Sequence, residues 1–129
     1  MTASSFNSVS IDPALVLWSI DKGALTLEAF RNATHFAVNV LNENQVDLSN
    51  NFAVRGGDKF SGITYSDDPK GCPLLPDCAA QFECKTWNIY EGGDHYIIVG
   101  EVLDFRSIEE AAPLVFAGGN YAVTAKHPG

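Results

Sequence analysis

A chain of 129 residues with 46% apolar side chains can bury one core, which predicts a single domain over residues 1–129. Sixteen acidic residues against eight basic ones give a formal net charge of −8, which argues against nucleic acid and anionic membranes as principal partners but leaves room for local phosphate pockets. No apolar run approaches the ~20 residues of a membrane helix.

The cysteines, Cys72, Cys78 and Cys84, are odd in number and lack the tight spacing of zinc clips. They read as reduced thiols of a cytoplasmic protein, with no metal site expected. The first residues lack the basic start and apolar core of a signal peptide.

Thr2 to Ser10 is small and hydroxyl-rich. Such a segment offers amides and hydroxyls to a polar ligand without bulk in the way. An irregular edge strand would look the same. Asp12-Pro13 marks a turn. Ala14 to Ile20 is almost continuously apolar and predicts a strand buried on both faces. Asp21-Lys22-Gly23 ends it. Thr26 can cap a helix through Leu27, Phe30 and Ala33. A lysine just before a helix start is a candidate anion site, the alternative being an ordinary strand-to-helix turn.

Phe36, Val38 and Val40 recur with period two, so His35 to Leu41 predicts a half-buried strand. Gln45 to Phe52 predicts a short helix with Leu48 and Phe52 on one face. Arg55 to Gly62 is a loop rich in glycine and charge. Pro69 to Pro76 is a second loop, too polar and broken for a core element. Ala80 to Trp87 alternates, with Phe82 and Cys84 facing one way and Gln81, Glu83 and Lys85 facing water. It pairs most simply with Tyr96 to Phe105 through a turn at Gly92-Gly93. Ile97, Ile98 and Val99 suit an enclosed sheet, and Gly100 predicts a bulge or a close backbone approach.

His95 stands at that strand's entrance, where a side chain can face a cleft from a rigid base; a solvated turn is the alternative. Ser107 to Ala112 predicts a helical turn ended by Pro113. Leu114 to Phe116 and Tyr121 to Val123 flank Gly118-Gly119-Asn120, a hairpin signal. The sum is five or six mostly antiparallel strands and two or three short helices. No glycine-rich phosphate loop follows the first strand, which excludes a doubly wound nucleotide fold and favours a barrel with helices outside.

Six blocks in order carry a resemblance. They are Met1 to Pro13, Phe36 to Leu41 with Gln45, Asp58-Lys59-Phe60, Phe82-Glu83-Cys84, Gly93-Asp94-His95, and Pro113 to Phe116. Together they resemble the short-chain flavin reductases. The resemblance implies a mainly β protein with short helices, the FMN-binding split β-barrel, which is Greek-key-like and antiparallel. It implies NAD(P)H:flavin oxidoreductase activity, with FMN or FAD as flavin and NADH or NADPH as hydride donor. Reduced flavin would go to a partner monooxygenase, and the protein would be a homodimer.

By the same resemblance, Thr2, Ala3, Ser4 and Ser5 hold the flavin ring edge through backbone amides. Asp21, Lys22 and Thr26 meet the ribityl and phosphate groups. Lys59 and Phe60 lie near the flavin, Tyr121 lines the same cleft, and His95 lies beside the nicotinamide as the catalytic-site residue that positions it. Two departures stand out. Family members carry a hydroxyl residue near Ala24, where a phosphate contact is expected. They also carry a helix and the first barrel strands ahead of the segment matched by Met1, so the barrel is expected to be incomplete at its N-terminus. The competing functions are a non-catalytic flavin-binding or electron-transfer module, and an inactive truncated fragment.

Overall fold

The longest ordered feature is a hairpin of two 13-residue strands, Ala80–Gly92 and His95–Ser107. The structure, a computed structural model, describes residues 1–129. In chain order its elements are β1 (Asn7–Ile11), β2 (Ala14–Asp21), α1 (Leu27–Asn32), β3 (His35–Val40), α2 (Val46–Ala53), β4 (Ser66–Asp67), β5 (Pro73–Leu74), β6 (Ala80–Gly92), β7 (His95–Ser107), β8 (Val115–Ala117) and β9 (Asn120–Ala122). Neither helix is long and apolar enough to cross a membrane.

The β6–β7 turn is two residues long, Gly93 and Asp94, and Gly93 takes φ +76°, which glycine adopts without a Cβ penalty. The pairing slips twice. Trp87 is the extra residue between Thr86 and Asn88, and Leu103 is the extra residue opposite Glu83 and Cys84. Such bulges bend the ribbon and raise its twist. Gly100 is where the backbone comes close to a side chain: a Cβ there would lie 2.4 Å from Phe36 Cζ.

Five strands form one antiparallel sheet in the order β1-β2-β7-β6-β3. It does not close, and β1 and β3 are its edges. The main core gathers Val16, Trp18, Ile20, Leu27, Phe36, Cys84 and Ile98 on one face. Phe30 of α1 stands edge-on to Trp18, their centroids 4.8 Å apart.

Four expectations are corrected. The β2 strand is not buried on both faces: Val16, Trp18 and Ile20 are buried, whereas Leu15, Leu17 and Ser19 between them are half-buried. Hydropathy alone could not show this, because the second face is also apolar. The Pro69–Pro76 loop does enter the interior. Leu75 and Cys78 bury with Phe52 in a second cluster. Asn39 pins the loop there, accepting from Leu75 N–H at 3.0 Å and donating to Pro73 C=O at 3.1 Å.

The face of β6 that was expected to be wet is therefore partly covered. Gln81 donates to Leu75 C=O at 2.6 Å, and Glu83 is buried against Arg106. Finally, Ser107–Ala112 makes one turn, Ala111 N–H to Ile108 C=O, and no helix. Its flanking groups are committed elsewhere: Ile108 N–H donates to Ala79 C=O and Ala112 C=O accepts from Glu43.

Candidate active site

A cleft of about 640 Å³ opens between the N-terminal segment, β3, α2 and the β8–β9 hairpin. Its lining is mostly apolar, which suits a flat aromatic ligand. Of the residues expected in the site, Thr2, Ala3, Ser4, Phe60 and Tyr121 line it. Thr2 anchors the first wall to α2. Its N–H donates to Phe52 C=O at 3.1 Å and its hydroxyl donates to Ser49 C=O at 2.6 Å. The next two amides, of Ala3 and Ser4, make no hydrogen bond within the chain. Exposed amide donors on an apolar rim are what the polar edge of an otherwise apolar ring requires.

Ser5 does not line the cleft. Its Oγ accepts from Ser19 N–H at 2.9 Å and extends the β1–β2 edge pairing. Lys59 does not line the cleft; its Nζ donates to Phe52 C=O at 3.4 Å. Phe60 packs edge-on to Phe52 and tilted against Tyr65, at 5.1 and 4.9 Å between centroids. The Tyr121 hydroxyl reaches Ser49 Oγ and Asn50 Oδ1, each at 2.8 Å. Ser49 and Asn50 were not anticipated. In sequence they are polar residues of a short helix, and nothing local marks Ser49 as buried.

Asp21, Lys22 and His95 gather at the turn end of the sheet and do not line the cleft. Asp21 and His95 face each other in the β2–β7 register. His95 Nδ1 lies 2.7 Å from Asp94 Oδ1, and that bond holds the Asp94 carboxyl below its usual range. Lys22 is paired with Glu91 and lies over the Tyr96 ring, 4.8 Å from its centroid. The hydrogen bond to Glu91 raises its pKa. Thr26 stands at the N-cap of α1 without a capping hydrogen bond, its hydroxyl 3.6 Å from Met1 Sδ. Ala24 packs partly buried against the main core, where a hydroxyl would need a partner. No group of three or more His, Cys, Asp and Glu side chains is placed to hold a metal.

The family model described as flavin reductase like domain matches residues 1–125. The chain belongs to this flavin reductase-like family. The FMN reductase (NADH) SmoA of Agrobacterium fabrum is 44% identical over 94% of the chain and 68% of its own length. The reductase component of the flavin-dependent trigonelline monooxygenase of Acinetobacter baylyi is 41% identical over 97% of the chain. The flavin reductase-like chain spans only 40% of that relative. Among solved structures, the Streptomyces globisporus C-1027 NADH:FAD oxidoreductase SgcE6, in complex with NAD and FAD fragments, superposes with a TM-score of 0.94. It is 34% identical, and the match covers all of this flavin reductase-like chain and 79% of that one.

Proposed function

We propose that the protein is an NAD(P)H:flavin oxidoreductase that reduces FMN or FAD and delivers the reduced flavin to a monooxygenase component. The observation that carries this reading is the pair of free amides, Ala3 and Ser4, at the rim of an apolar cleft. The named relatives, an NADH-dependent FMN reductase and a monooxygenase reductase component, support it.

Bound flavin supplies the two-electron acceptor, and NADH or NADPH the hydride. The chain's own residues bind, orient and exclude water. Ala3 and Ser4 hold the ring edge, Phe60 and Tyr121 wall the cleft, and Thr2 fixes the segment that bears the amides. Ser5 shapes that segment through Ser19. Lys59 braces the end of α2. Asp21, Lys22 and Thr26 serve the ribityl and phosphate groups. His95 positions the nicotinamide, and no proton transfer is assigned to it.

Its place outside the cleft lining favours a second reading, a flavin-binding or electron-transfer module without a nicotinamide site. Mixing the protein with FMN or FAD and following NADH and NADPH oxidation separates the two. Turnover supports the reductase; tight flavin binding without turnover supports the module.

The same proposal makes the protein a homodimer in a cytoplasmic compartment. Leu15, Leu17 and Ile97 share the sheet face opposite the main core and belong to neither buried cluster. A second copy would cover that face. Its three thiols are unpaired, as a reducing compartment keeps them. Sedimentation velocity at micromolar concentration tests the dimer, and a stable monomer would refute it.

A further inference from the structure

Two walls of the cleft converge on one residue. The N-terminal wall is tied to Ser49 through its carbonyl, which accepts from the Thr2 hydroxyl at 2.6 Å. The C-terminal wall is tied to Ser49 through its side chain, 2.8 Å from the Tyr121 hydroxyl. Ser49 is 4% exposed, in the middle of α2, and lines the cleft between them.

The β8–β9 hairpin is a separate two-stranded ribbon, not a part of the main sheet. Its base is fixed to the segment after β3. Leu114 N–H donates to Leu41 C=O at 2.7 Å, and Pro113 bridges to Asn42. At β9, the polar contacts to α2 are those of the Tyr121 hydroxyl. The phenol has one proton and two partners. Asn50 Oδ1 can only accept, so the phenol donates there and accepts from Ser49 Oγ–H. Both hydroxyls are then satisfied.

The geometry points to Ser49 as a positioning residue that sets the width of the cleft, by holding the Tyr121 wall at a fixed distance from the Thr2 wall. This rests on the flavin reading above. Ser49 and Tyr121 need not change the chemistry. Their bond keeps the cleft narrow enough for a flat ring to touch both sides, so the free protein does not have to order the hairpin when flavin arrives.

Flavin titrations of wild type, Ser49→Ala, Tyr121→Phe and the double variant test this, followed by quenching of protein fluorescence. Each single variant is expected to raise the FMN dissociation constant about three- to tenfold. The double variant should be no weaker than Tyr121→Phe alone, because that change already removes the bond to Ser49 together with the one to Asn50. Turnover of Ser49→Ala at saturating flavin should stay within about twofold of wild type, so that KM moves and kcat does not. Ser49→Thr, which keeps the hydroxyl, should restore most of the affinity.

A purely structural serine gives a different pattern: a lower melting temperature, unchanged flavin affinity well below it, and additive losses in the double variant. That pattern overturns the inference while leaving the flavin reading intact. A wild-type protein that binds neither FMN nor FAD overturns both. Tyr121→Phe removes one oxygen from a half-buried ring and preserves the test if Ser49→Ala does not fold.

Discussion

Gly100 and Phe36 interlock across two strands that are not neighbours in the sheet. Gly100 is on β7 and Phe36 on β3, with β6 between them. The ring of Phe36 lies over β6 and reaches the Gly100 backbone, where an added Cβ would also meet Phe36 Cε1 at 2.8 Å and Cys84 Cβ at 3.0 Å. Phe36 is 5% exposed and cannot swing into solvent without emptying the core. Gly100→Ala is therefore expected to cost about 1–3 kcal/mol by overpacking. Thermal unfolding checks it, and Phe36→Leu in the same chain should recover part of the loss.

His95→Ala is expected to raise the KM for NADH and lower turnover, together about tenfold to a hundredfold, with flavin affinity near wild type. The side chain is half-buried at the start of β7, opposite Asp21 and outside the cleft lining. Steady-state kinetics with NADH varied at saturating flavin decides. Wild-type values would remove His95 from the nicotinamide site.

Lys22 has a partner before any ligand arrives. Its ion pair with Glu91 is at the surface, so a phosphate competes for it rather than meeting a free ammonium. Lys22→Ala is expected to weaken FMN binding about three- to tenfold and to leave riboflavin binding unchanged. Glu91→Gln should tighten FMN binding. Equal losses for FMN and riboflavin would show that Lys22 acts only on the turn.

Glu83 is 7% exposed, and burial raises its pKa while Arg106 opposes the shift. Removing the arginine strands a buried carboxylate. Arg106→Ala is expected to cost about 1–3 kcal/mol, the usual loss for a broken buried pair discounted because Arg106 is half exposed to solvent. Glu83→Gln should cost less. Denaturant unfolding of the two variants measures the order.

The thiols of Cys72 and Cys78 are pushed up to about 11 and that of Cys84 to about 12, each mainly by burial. All three are protonated at neutral pH and should resist alkylation by iodoacetamide until the protein unfolds. In the unfolded chain they ionise near the ordinary 9.0. Between these values the folded chain holds more protons, so stability falls as pH rises. The contribution is complete below pH 9.0 and is lost by about 12. Melting temperatures measured upward from pH 8 should decline, and Cys84→Ala should flatten the decline.

Local sequence determined the elements whose physics is local. Period two marked β3, the four-residue spacing of Leu48 and Phe52 marked α2, and Gly118-Gly119 marked the last hairpin, where both glycines take positive φ. The six ordered blocks also marked the family and the hydroxyl-rich segment that became the cleft's first wall. Tertiary structure decided the rest, because it depends on what lies across the sheet. Only the register could set Asp21 opposite His95 and keep His95 out of the cleft lining. Only packing could bring Leu75 from a proline-rich loop into the core and bury Glu83 on a face that alternates like a wet one. Ser49 shows the limit most plainly: its partners are 47 and 72 residues away, and no spacing within α2 encodes either.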